Sequence, residues 1–106
     1  MQVGYAELET KVKPCGKIGQ WLYSQLVEYG MKNDWVCGES WCLGDNPAIG
    51  LALNPGCGYF DYAQASLVDE KGNYISRLQN RTIRIYHHID SRFILEDLFA
   101  KLKINN

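Results

Sequence analysis

Tyr59 to Val68, YFDYAQASLV, is the stretch on which the fold turns. Tyr59, Phe60 and Tyr62 supply β-favouring aromatics, the turn-rich NPGCG of Asn54 to Gly58 precedes them, and the turn DEKGN of Asp69 to Asn73 follows. A strand bounded by two turns is the reading. Successive side chains of a strand point to opposite faces, so Asp61, Ala63 and Ala65 share one face. That face offers small side chains and a carboxylate where a core-facing strand would present large aliphatics. It is either covered by a bulky helix or lines a ligand pocket.

Working outward on the N-terminal side, Ile49, Leu51 and Leu53 alternate with Gly50 and Ala52. This predicts a strand with one bare face, joined to YFDYAQASLV as an antiparallel hairpin through Asn54 to Gly58. A shorter strand is expected at Ser40 to Leu43, closed by the turn Gly44 to Pro47. Before it, Lys32 to Trp41 reads as a loop or short strand, broken by Asn33, Asp34 and Gly38. Ile18, Leu22, Leu26 and Tyr29 recur at helical spacing, with Trp21 beside the stripe, and predict a helix over Lys17 to Tyr29. Its expected end is a left-handed Gly30, with Met31 packing back on Leu26. Val3 to Val12 alternates loosely and predicts the first strand.

On the C-terminal side a short extended segment is expected at Tyr74 to Leu78. Thr82 to Ile89, TIRIYHHI, then alternates Ile83, Ile85 and Ile89 with polar residues and predicts a strand. Asp90 or Ser91 can cap a last helix over Arg92 to Lys103, whose Leu95, Leu98, Phe99 and Leu102 form an apolar stripe. Glu96 and Asp97 near its start and Lys101 and Lys103 near its end suit the helix dipole. A strand then a helix thus occurs twice. The expected fold is one α+β domain over residues 1–106, an antiparallel sheet with two helices packed on one face in a pseudo-two-fold strand-helix repeat. The seam between the halves is the natural place for a ligand.

Composition narrows the function classes. The chain has 106 residues, 46% hydrophobic and 22% charged, with a formal net charge of −1. That size and mixture suit a single globular domain. The eleven lysines and arginines form no cluster, so no nucleic-acid surface is expected. No apolar run reaches the roughly 20 residues of a membrane span, and MQVGYAEL lacks the pattern of a signal peptide. A soluble, cytoplasmic protein is the expectation, with Cys15, Cys37, Cys42 and Cys57 reduced. Cys37 and Cys42 have no second close pair to complete a zinc knuckle. No metal and no cofactor are called for.

The order V-G-Y-A-E-L, then GKIGQWLYSQLVEYGM, G-D-N-P, YFDYAQASLV, NRTIRIYHHI and a last helix resembles the GyrI-like small-molecule-binding domain, the effector module of AraC- and MerR-type regulators, which also occurs alone. Gly16 to Leu22, Asp45 to Pro47 and Tyr59 to Ala63 are the matching residues, and the likeness runs over nearly the whole chain. Two departures stand out. Tyr62 intervenes between Asp61 and Ala63, and the family's further pair of strands, one often carrying an acidic residue, has no counterpart before Asn106. The resemblance implies a cleft between the halves, lined by aromatic rings, that takes amphipathic or cationic organic molecules.

Tyr5, Trp21, Trp41, Tyr59, Tyr62 and Tyr86 are the candidate ligand-binding rings, and Glu39 and Asp61 the candidate carboxylates, with Glu7 a third. Ring faces and a carboxylate together would recognise a cation. Each of these residues has a plainer role in the core or on the surface. His87 and His88 should point to opposite faces of their strand, and no catalytic residue is assigned. Three readings stay open: a stand-alone binding module, a protein of the same fold that binds or inhibits a regulatory protein partner, and a small hydrolase built on Cys57 and His88. An unpaired sheet edge would favour a homodimer.

Overall fold

The computed structural model describes residues 1–33 and 38–106. The loop reading at 34–37, with Trp35 and Cys37, lies outside the described residues. The class is α+β, with every strand pairing antiparallel.

The first strand is far shorter than its alternation suggests. β1 spans Gln2–Gly4, and the chain then turns into α1 (Tyr5–Glu7) and a π-helical turn at Leu8–Val12. Lys13 N–H closes that turn on the Leu8 carbonyl at 2.9 Å. Tyr5, Leu8 and Val12 lie three and four residues apart, a helical spacing, and ion pairs Glu7–Lys11 and Glu9–Lys13, each 3.3 Å, join successive turns. Leu8 and Val12 are buried.

α2 runs from Gly16 to Lys32, past the expected stop. Gly30 stays helical, Met31 is exposed, and Asn33 ends the helix by donating its side-chain amide to the Tyr29 carbonyl at 2.7 Å. The expected stripe is also rotated. Leu22, Tyr23 and Leu26 pack on the core, whereas Ile18 and Trp21 face outward. α2 starts hard against the π-turn at Gly19, where a Cβ would overlap the Val12 carbonyl oxygen.

β2 (Ser40–Cys42) pairs with β1, setting Val3 opposite Trp41. The expected strand at Ile49 to Leu53 is instead α3 (Asn46–Leu53). Pro47 sits in its first turn, where the missing N–H costs nothing and the fixed φ favours helix. Gly50 lets α3 approach the last helix, since a Cβ there would lie 2.6 Å from the Ile94 side chain. The expected hairpin with YFDYAQASLV therefore does not form.

β3 (Gly58–Gln64) pairs with β6 (Thr82–Ile89), at the bounds TIRIYHHI predicted. The chain between them is a long hairpin. It continues as β4 (Leu67–Val68) against β5 (Tyr74–Ile75) and turns at Asp69 to Asn73. Asp69 organises that turn, its carboxylate accepting from the backbone N–H groups of Lys71 and Asn73 and from the Asn73 side chain. α4 (Ser91–Ile104) follows β6 directly, with Asp90 Oδ1 accepting from Phe93 N–H at 3.0 Å as its cap.

Val3, Leu8 and Val12 form the core with Leu95 and Phe99 of α4, and α2 closes over them. The β3–β6 ladder stands apart from it. No residue of either strand is fully buried, although Ala65 just beyond β3 is. The Cα radius of gyration is 17.2 Å and the long axis 49 Å, against about 13 Å expected for the gyration radius of a compact chain this long. The difference is the projecting hairpin.

Candidate functional site

The ladder carries half of the expected ligand-binding residues, Tyr59, Asp61, Tyr62 and Tyr86. Its two faces follow from the register, in which Phe60 lies opposite Tyr86, Asp61 opposite Ile85 and Tyr62 opposite Arg84. Phe60, Tyr62, Arg84 and Tyr86 share one face. The Phe60 ring lies 5.3 Å from that of Tyr62 and 5.2 Å from that of Tyr86, and the Arg84 guanidinium sits 4.8 Å over Phe60. Hydrogen bonding to Tyr86, and then the influence of Tyr62, holds the Arg84 guanidinium above its ordinary pKa. This face already has its own cation, so it is a poor host for another. Tyr86 O–H also donates to the Pro55 carbonyl at 3.2 Å, tying the ladder to the turn before β3.

Tyr59 and Asp61 occupy the opposite face. The register slips between Tyr59 and Phe60, because β6 carries one extra residue, His87. A bulge of this kind re-aims side chains. It puts both histidines on the Tyr59 face, contrary to the alternation expected of a regular strand. His87 Nε2 lies 3.0 Å from Asp61 Oδ2, and the His88 ring lies 6.0 Å from that of Tyr59.

Where this face meets the start of α4 there is an open recess of about 470 Å³. Gly56, Cys57 and Gly58 line it on one side, Tyr59 and His88 bring rings to it, and Ile89, Asp90, Ser91 and Arg92 complete it. Gly58 is required there, since a Cβ would lie 2.6 Å from the His88 carbonyl oxygen and 2.8 Å from the Tyr86 ring. The Cys57 sulfur is buried, 3.8 Å from the Gly50 carbonyl oxygen.

The other expected residues lie elsewhere. Trp41 is half-buried on β2 and meets Tyr29 edge-on at 5.4 Å. Together with Leu26, Glu28 and Lys32 they edge a second recess of about 370 Å³. Tyr5 packs against the core, its N–H bonded to the Glu39 carbonyl at 3.0 Å and its hydroxyl buried with no partner among the described residues. The Glu39 residue is exposed, and Glu7 pairs with Lys11, which also bonds Glu96. Trp21 is exposed on α2. The eight residues thus form no single cleft. Cys57 and His88, expected only as a hydrolase pair, line the first recess together with Arg92, which no sequence signal pointed to.

Against known proteins, the chain matches no family model, no curated protein and no solved structure. Among the described residues, no helix is long and apolar enough to cross a membrane.

Proposed function

We propose that this chain is a binding module for a small amphipathic organic molecule, held at the recess between Cys57 and Arg92. The observation that carries this reading is the meeting of the Tyr59 and His88 rings, 6.0 Å apart, beside the side-chain-free Gly56 and Gly58 in a space of about 470 Å³. That volume suits a ligand of drug-like size. A flat apolar body stacks on the two rings. Its cationic end reaches Asp61, two residues along the same face, whose Oδ2 lies 3.0 Å from His87 Nε2.

Calorimetric titration with a panel of aromatic cations such as rhodamine and tetraphenylphosphonium tests this. Tyr59→Ala should weaken binding about two- to thirtyfold, the range for losing a ring from a cation site, and Asp61→Asn should weaken cations while sparing neutral analogues. Equal affinities in all three proteins, or no binding by any of the panel, sink the reading.

A protein partner is the second reading, favoured by the apolar side chains left exposed on the hairpin, among them Tyr74 and Leu78 at 83% and 94%. The hydrolase reading gains less support. Cys57 and His88 line one recess, but the buried thiol is placed to donate to a carbonyl.

A further inference from the structure

We infer that two copies of this chain join along the free edge of β6 into a four-stranded antiparallel sheet. This stands independently of the ligand reading. The first support is surface area. The chain exposes 8109 Å², whereas a compact monomer of 12.1 kDa exposes about 6,000 Å². The excess of roughly 2,000 Å² is within what each subunit of a permanent dimer buries, about 1,000–2,500 Å². The hairpin contributes to it, since among the described residues its ladder has no third strand and no buried residue. A lone two-stranded hairpin is marginal in water and gains stability from further strands.

The second support is the edge itself. Ala65 N–H donates to the Arg81 carbonyl at 3.0 Å. Hydrogen-bonded and non-bonded pairs alternate in an antiparallel ladder, so Ile83 and Ile85 spend their backbone groups on β3. Thr82, Arg84 and Tyr86 turn theirs outward. These groups lie ahead of the His87 bulge, on a strand rich in β-branched residues and without the lysine or proline that commonly blunts an edge. β3 offers the weaker edge, with Gly58, Asp61, Ala63 and Gln64 among its seven residues.

The occupant follows from symmetry. A twofold axis perpendicular to the sheet brings one edge against its own copy, necessarily antiparallel, and both copies then satisfy the same donors and acceptors. A net charge of −1 gives two copies little reason to repel.

Sedimentation and amide hydrogen exchange on the full chain test this. The expected result is a dimer in which the Thr82, Arg84 and Tyr86 amides are protected, lose that protection on dilution, and exchange faster than Ile83 and Ile85 once dissociated. Arg84→Pro removes an outward N–H without touching a bond to β3, and should leave a monomer. Tyr62→Pro does the same on the β3 edge and should leave the dimer intact. A monomer at about 100 μM, or a dimer whose outward β6 amides exchange freely at every concentration, overturns the inference. So does a dimer that dissociates in Tyr62→Pro but persists in Arg84→Pro. Because the exchange measurement needs no variant, a misfolded proline mutant does not rescue the idea.

Discussion

A few side chains carry most of the packing. Phe99 is buried among Val3, Leu8, Val12 and Leu95 and has the Lys11 ammonium 5.2 Å from its ring centroid. Phe99→Ala should cost about 3–5 kcal/mol, read as a melting temperature lower by on the order of 10 °C or more. Gly19 faces the opposite risk. Gly19→Ala forces α2 away from the Val12 carbonyl, and overpacking of this kind costs about 1–3 kcal/mol, despite the better helix propensity of alanine. Chemical denaturation of both variants checks the two signs together. Asp69 gives a pH signature. The Asn73 side chain first, then the backbone N–H groups of Asn73, Lys71 and Gly72, hold its carboxyl below the ordinary aspartate value. A lowered pKa means that the turn's contribution is complete above the unfolded value near 4 and is lost as pH falls through the lower folded value. The amide resonances of Lys71 and Asn73 should therefore shift only below about pH 4, and an inflection above that would contradict the bonding pattern.

At the level of elements, the clearest boundaries were those set by side-chain chemistry. Asp90 caps α4, and Asp90→Ala should cost about 1 kcal/mol, measurable by urea denaturation. The last helix and β6 were legible because a cap, a stripe and an alternation each had one interpretation. Val3 to Val12 had two. Val3 and Tyr5 alternate, yet Tyr5, Leu8 and Val12 also fit a helix, and the Glu7–Lys11 and Glu9–Lys13 pairs were the deciding signal. Ile49, Leu51 and Leu53 posed the same ambiguity, and Pro47 in a first turn resolves it toward helix. Tyr29 was expected on the α2 stripe and Trp21 beside it, yet both are exposed, because α2 has apolar residues around much of its circumference and the spacing alone does not say which arc is covered. The candidate site was half legible. Tyr59 and Asp61 could be placed on one face of a strand, but a bulge has no signature in TIRIYHHI, so the convergence of His87 and His88 beside them was hidden.

The whole molecule is a helical body built around the π-turn, from which the Gly58 to Ile89 hairpin extends. Its core is small, and the ladder contributes no fully buried residue to it. Were the sheet completed by a second copy, the melting temperature would rise with protein concentration. Arg84→Pro would abolish that dependence, and differential scanning calorimetry across a hundredfold concentration range would show it. The class of fold follows from the alternation of strand and helix signals. The detachment of the ladder does not, since nothing in a period of two tells whether a face meets a helix or water.

The Asp69 to Asn73 turn closes the hairpin at the end remote from Phe99 and Val12. Polypeptide spliced between Glu70 and Lys71 would hang from the tip of a lever, away from the packed interior. That bend is accordingly the natural point at which to graft an epitope or reporter, leaving the recess near Cys57 unobstructed at the other end.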